Sequence, residues 1–248
     1  MNFTMEYYLS KYEELSVLSD TKKCRTSLMR NKDTGELVVK KEMGKESFSV
    51  YSLLKSIKNK NLIKVLECFR DEDKTIEIEE YVNGKRLDDY FREKKATLEQ
   101  VVDVGIALCE GLAPMHKLNL VHRDIQPKNI IITNEGSLKI IDFDISRKEN
   151  ENATHDTTLL GTVGYAAPEQ YGFAQTTNRS DIYSIGAVLK ELSSFSELDK
   201  IIAKCMEMDP ANRYENVEQL ENELEKIKDN GFGSCSYNDM EFGTETNS

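Results

Sequence analysis

The sequence predicts an α+β fold in which strands come first and helices follow. Two observations carry that expectation. The first third is made of short alternating segments separated by turn residues, and the second part opens on a capped helix with one apolar face. A length of 248 residues allows one large domain or two small lobes, with ample chain for a real core.

The strand segments are Tyr12 to Ser19, Cys24 to Arg30 and Glu36 to Lys41, the last two joined by the turn Lys32-Asp33-Thr34-Gly35. An antiparallel meander follows. Residues 46–57 place Phe48, Tyr51 or Ser52, and Leu54 or Lys55 at helical spacings, and Leu62 to Cys68 and Thr75 to Tyr81 alternate as strands do. Thr97-Leu98-Glu99-Gln100 is a capping box: the Thr97 hydroxyl and the Gln100 amide satisfy orphan backbone donors. Behind it Leu98, Val101, Gly105, Leu108, Leu112 and Met115 form one buried face. Ile130 to Thr133 and Leu138 to Ile141 flank the tight hairpin turn Asn134-Glu135-Gly136-Ser137. Further helices are expected at Asp181 to Leu192, Leu198 to Met206 and Val217 to Ile227, the last two capped by Ser196 and Asn216. Residues 229–248 are polar, Gly- and Ser-containing and aperiodic, and read as a disordered tail.

Charge and cysteine content exclude several functions. A net charge of -11 with no basic patch argues against nucleic-acid binding. The start MNFTMEYYLSKYEE lacks the apolar core of a secretory signal, and no stretch is long and apolar enough to span a bilayer. A cytoplasmic protein with no membrane partner is the expectation. The cysteines (Cys24, Cys68, Cys109, Cys205, Cys235) lie far apart with no CxxC pair, so packed, reduced thiols are expected rather than disulfides or a zinc site.

The chemistry is concentrated in three motifs: His122-Arg123-Asp124-Ile125-Gln126-Pro127-Lys128-Asn129, then Asp142-Phe143-Asp144, then Ala167-Pro168-Glu169. In this order, with a hairpin between the first two, they resemble the catalytic core of the eukaryotic-like Ser/Thr protein kinases, here a compact, divergent chain of bacterial type. The resemblance covers about residues 12–228. It implies a two-lobed fold, with a small β-rich N-lobe (12–82) after an N-terminal extension (1–11), and a larger helical C-lobe (83–228). It also implies ATP with Mg²⁺ or Mn²⁺, and a protein or peptide substrate, the chain itself included. The sequence carries no signal for the oligomeric state.

Carried over residue by residue, the resemblance makes Asp124 the acceptor of the attacking hydroxyl's proton, and Asn129 and Asp142 the metal ligands. Lys41 becomes the ATP-phosphate lysine; Val39 and Lys41 share a strand face, which favours it over Lys40. Leu18, Val39 and Ile131 would sandwich adenine, and backbone groups of Glu80 and Val82 would pair with its edge. Gly161 to Glu169 resembles the peptide-receiving segment, in which Thr162 favours Ser/Thr specificity. Ser180 to Gly186 resembles the helix that anchors the catalytic loop, and Arg213 is the expected ion-pair partner of Glu169.

Several positions depart from the family pattern. Ser19, Thr21 and Cys24 stand where the phosphate loop has glycines, which weakens the ATP clamp. Lys22 and Lys23 either touch phosphate or belong to a solvated turn. Val50 occupies the place of the helix glutamate that pairs with the ATP lysine. Glu79, beside the hinge, either reaches Lys41 from the neighbouring strand or turns to solvent or a backbone donor. Gln126 replaces the lysine two residues after the base, and Lys128 offers charge to the γ-phosphate instead. Asp144 replaces a glycine and either assists a metal or stiffens the loop. The few residues between Leu192 and Leu198 leave no room for the family's substrate-docking helix. Thr154, Thr157 and Thr158 are candidate self-phosphorylation sites, able to pair with Arg123 once phosphorylated.

Three functional readings follow: an active Ser/Thr protein kinase, a nucleotide-sensing or scaffolding pseudokinase, and a kinase-fold enzyme acting on a small molecule.

Overall fold

A computed structural model describes residues 3–148, 161–172 and 175–231. The chain opens with α1 (Phe3–Ser10), where only an extension is expected from the sequence. The meander β1 (Tyr12–Asp20), β2 (Cys24–Asn31) and β3 (Leu37–Gly44) follows. A 3-10 turn, Lys45–Ser47, leads into α2 (Phe48–Leu54), and β4 (Val65–Arg70) and β5 (Lys74–Glu80) complete the small lobe. The five strands lie in the order β1-β2-β3-β5-β4, all paired antiparallel.

The outer face of this sheet is covered by α1. Met5 is buried against Met29, Val38, Phe69, Ile76 and Ile78. That cover settles the parity of β5: Ile76 and Ile78 point to α1, so Glu77 and Glu79 point to the inner face, where the cleft lies. The helix of the extension therefore determines which side chains reach the site.

The strand expected from Leu62 starts instead at Val65, because Asn61 to Ile63 serve another purpose. Ile63 donates its N–H to Ile140 O (2.9 Å) and Asn61 O accepts from Ile140 N (2.8 Å), which ties the small lobe to the large one.

The C-lobe begins with β6 (Gly84–Arg86) and the single turn α3 (Leu87–Tyr90), both too short for a periodic signal. The long helix α4 (Leu98–Lys117) starts at the expected capping box, in which Gln100 N donates to Thr97 Oγ1 and Thr97 N to Gln100 Oε1. Next come β7 (Leu120–Val121), β8 (Ile130–Thr133), β9 (Leu138–Ile140) and β10 (Arg147–Lys148). Gly136, at φ 84°, makes the β8–β9 turn in a conformation that costs other residues strain.

Three helices finish the chain: α5 (Asn178–Leu192), α6 (Asp199–Cys205) and α7 (Val217–Gly231). α5 starts earlier than its apolar spacing suggests because Thr177 caps it, accepting from Arg179 N. Ser196 does not cap α6; it opens a 3-10 turn, and its hydroxyl bonds Glu197. Asn216 does cap α7, accepting from Gln219 N at 2.9 Å. α7 runs on through Asp229 to Gly231, residues expected in the tail, and Lys228 ties its last turns to Asp103 of α4 at 2.8 Å. Only Ser193 to Leu198 separate α5 from α6. The described cysteines are free thiols, three buried and Cys68 half-buried, and no described helix is long and apolar enough to cross a membrane.

Candidate active site

The site is built outward from Asp181 on α5, whose side chain is fully buried. Its Oδ2 accepts from His122 N (2.9 Å) and lies 2.8 Å from His116 Nε2, while Oδ1 accepts from Arg123 N (2.8 Å). Burial pushes the Asp181 carboxyl up, but these hydrogen bonds and the two histidines more than reverse that and hold it below the usual carboxylate range. The result is a catalytic loop pinned by its backbone, with Arg123 at φ 72°.

One residue on, Asp124 receives three side-chain donors. Its Oδ2 accepts from Asn129 Nδ2 (2.8 Å) and Gln126 Nε2 (2.8 Å), and its Oδ1 accepts the Thr162 hydroxyl (2.8 Å). Gln126 also donates to Thr162 Oγ1 at 2.7 Å, so its amide bridges Asp124 and the segment that carries Thr162. This bridging was not predicted from the sequence, where Gln126 registers only as a missing lysine. Its position two residues after Asp124 was the available signal. Lys128 is exposed on the turn beside Asn129 and makes no ion pair among the described residues.

Ile141 N donates to Asn129 O at 2.9 Å, which sets Asn129 beside the second acidic motif. Asp142 adopts φ 68°, and Phe143 is buried with its ring 4.9 Å from that of His122. Asp144 N donates to Asp142 Oδ1 (3.3 Å), and Asp144 Oδ1 accepts the hydroxyl of Tyr51 (3.1 Å), a fully buried side chain of α2.

On the N-lobe wall, Lys41 and Glu79 form a buried ion pair with Nζ to Oε1 at 3.3 Å. Of the two alternatives for Glu79, the strand-to-strand contact is the one observed. Lys40 lies on the opposite face, with Glu42 at 2.9 Å. Burial pulls the Lys41 ammonium down, and Glu79, Tyr51, Glu77 and Asp142 together more than reverse it, leaving Lys41 charged. Glu77 stands directly across from Lys41 in the ladder, fully buried, with neither oxygen hydrogen-bonded. Burial first, then Glu79, pushes the Glu77 carboxyl well up; burial also raises that of Glu79, against the pull of the Lys41 ammonium beside it. Val50, in the helix-glutamate position, is simply core.

The loop that lacks glycines is closed by a side chain instead. Thr21 N and Oγ1 both donate to Cys24 O (3.0 Å each), and Oγ1 accepts from Cys24 N (3.0 Å) and Lys23 N (3.3 Å). No residue from Ser19 to Cys24 has positive φ, so this turn needs no glycine. Lys22 and Lys23 are exposed. Of the expected adenine neighbours, Val39 is buried, Ile131 half-buried and Leu18 exposed on a bulged part of β1. The Glu80 carboxylate is occupied by Lys139 Nζ (2.7 Å) and Lys64 N (2.9 Å), and Val82 lies in the link between β5 and β6.

The segment from Gly161 to Glu169 is equally fixed. Gly161, at φ 124°, leaves room where a Cβ would fall 2.7 Å from Ala166 Cβ and Gln170 Nε2. Gln170 donates to Arg123 O (2.8 Å), and Arg213 grips Glu169 in two bonds, at 2.7 and 2.9 Å, both partners buried. Thr154, Thr157 and Thr158 lie outside the described residues. A separate cleft lined by Tyr90, Phe91, Val104 and Leu138 involves none of these site residues.

Comparison with known proteins agrees with this geometry. Residues 12–197 match the family model of the protein kinase domain. A probable serine/threonine-protein kinase of Clostridium perfringens is 31% identical over 207 residues, covering 70% of this chain and 30% of the relative. One of Clostridium acetobutylicum is 29% identical over 208 residues (70% and 32%). Wall-associated receptor kinase-like 3 of Arabidopsis thaliana is 36% identical over 163 residues (62% and 22%). The chain thus spans about a third or less of the length of these relatives. With the family model matched from β1 to the turn before α6 and the pinned loop in place, this chain belongs to the protein kinase domain family.

Proposed function

We propose that the chain is an ATP-dependent protein kinase that transfers the γ-phosphate to Ser or Thr hydroxyls, its own among them. The observation that carries this reading is the hydroxyl of Thr162 seated 2.8 Å from Asp124 Oδ1 while Asn129 and Gln126 hold Oδ2. An acceptor hydroxyl presented to the same oxygen meets a base already oriented to take its proton. The acceptor oxygen then bonds to the γ-phosphorus as the bond to the β-phosphate breaks, ADP leaves, and the proton rests on Asp124. Lys41, kept charged by its acidic neighbours, is the phosphate contact of the N-lobe, and exposed Lys128 is free to meet the γ-phosphate.

The residues also fit a hard divalent cation. Asn129 and Asp142 offer oxygen donors, and the bond from Ile141 N to Asn129 O keeps them side by side. When bound, Mg²⁺ or Mn²⁺ would be held by Asn129 and Asp142 and would neutralise charge on the phosphates.

The test is incubation of the wild type and Asp124→Asn with labelled ATP, Mg²⁺ or Mn²⁺, and either casein or small hydroxylated metabolites. Phosphate should appear on Ser or Thr in the wild type and fall by about 10²- to 10⁴-fold in the variant. Nucleotide binding without transfer would make the chain a nucleotide-sensing pseudokinase, and transfer to metabolites alone a small-molecule kinase.

A further inference from the structure

Two departures from the family pattern, Val50 in the helix and Asp144 in the metal loop, look unrelated in the sequence. In the fold they meet through one neighbour. Tyr51, next to Val50 and fully buried, donates its hydroxyl to Asp144 Oδ1 at 3.1 Å. Asp144 in turn donates its N–H to Asp142 Oδ1 at 3.3 Å, and Asp142 holds a left-handed backbone that only its surroundings can enforce. The helix therefore touches the metal loop, whereas Lys41 takes its counter-ion from the sheet.

We propose that Tyr51 is a positioning residue that acts through Asp144 to hold the Asp142 carboxylate in the orientation needed for the divalent cation. A glycine at 144 would give the hydroxyl no acceptor, so this chain's aspartate is the other half of the device. The contact runs from the buried Tyr51 hydroxyl to the carboxyl of Asp144, an exposed residue at the edge of the cleft, and such a hydrogen bond narrows the rotamers of both partners.

This inference rests on the kinase reading for the identity of the cation site, and its test is a binding measurement that needs no turnover. The full chain would be titrated with Mn²⁺ in the presence of ADP, following free Mn²⁺ by electron paramagnetic resonance. ADP affinity would be measured separately in EDTA. Tyr51→Phe should weaken Mn²⁺ binding roughly threefold to tenfold, the worth of one such hydrogen bond, with ADP affinity in EDTA unchanged. Asp144→Asn, which keeps an acceptor oxygen, should stay close to the wild type, while Asp144→Gly should match Tyr51→Phe. The double variant Tyr51→Phe/Asp144→Gly should be no worse than Asp144→Gly alone.

Equal Mn²⁺ affinity in Tyr51→Phe and the wild type would overturn the proposal. So would Asp144→Asn as damaging as Asp144→Gly, which would make Asp144 a ligand acting by charge. Thermal melting of each variant guards against a fold defect, and the contrast between Asp144→Asn and Asp144→Gly carries the test if Tyr51→Phe melts early. Wild type that binds no ADP at all would instead sink the kinase reading.

Discussion

The two walls of the cleft solve the same problem in different ways. The C-lobe wall keeps the three motifs of the family: Asp124 and Asn129 sit on the loop pinned by Asp181, Ile141 beside Asp142 bonds Asn129 O, and Arg213 braces Glu169 behind them. The N-lobe wall has lost its helix glutamate and loop glycines, yet it still presents a paired lysine and a closed turn. The difference lies in what each job demands. A countercharge for Lys41 can come from any neighbouring element, whereas the three donors that converge on Asp124 depend on backbone angles that few arrangements supply.

The largest effect should come from breaking the pinned wall. Arg213→Ala leaves the buried Glu169 carboxylate without its cation, and should cost about 3–5 kcal/mol in chemical denaturation. A loss below about 1 kcal/mol would mean that this wall is no more rigidly specified than the other. Next, Glu79→Ala should raise KM for ATP about tenfold, or about 1.4 kcal/mol. The effect is held to that size because Glu77, opposite Lys41, can ionise in its place. Unchanged KM would show that Lys41 needs no partner on the sheet.

A pH series sharpens the comparison further. Burial and Glu79 hold the Glu77 proton in the folded state, while the unfolded chain releases it near the ordinary glutamate value of about 4.3. The unfolded state therefore binds fewer protons above that pH, and wild-type stability falls as pH rises toward the raised folded value. Glu77→Gln should remove this slope and melt higher at pH 8, by about 2–4 °C for each kcal/mol relieved. The smallest effect is expected from Thr21→Ala, which opens the turn at an exposed site and should cost about 1 kcal/mol. It should weaken ADP binding only a few-fold in a calorimetric titration.

What the sequence made legible tracks how locally each feature is encoded. The cap at Thr97, the turn at Gly136 and the order of the three motifs depend on residues close together in the chain, and all are found as expected. α3 and β6 are too short to show a period, and α1 is recognisable only through the sheet it covers. Ser196 has the right residue type for a cap but precedes a 3-10 turn, which moves the start of α6 beyond its reach. Within the site, Asp124, Asn129 and Thr162 converge, and the Glu79 contact was open between two alternatives until β5 acquired its parity from α1. The link from Tyr51 to Asp144 joins residues far apart in sequence, and no local pattern announces such a pair.

The strand-to-strand placement of Lys41 and the two glutamates also bears on how the sheet finds its pairing. Side chains alternate across a strand, so a slip of β3 by one residue would turn Lys41 outward and bring Lys40 or Glu42 to the inner face. In most slipped pairings Glu77 and Glu79 would be sealed against α2 with the wrong neighbour, a state far costlier than a mismatched pair of aliphatic residues. The same charges that line the cleft thus penalise mispairing in the small lobe, and a sheet that has slipped there also loses the Lys41–Glu79 pair.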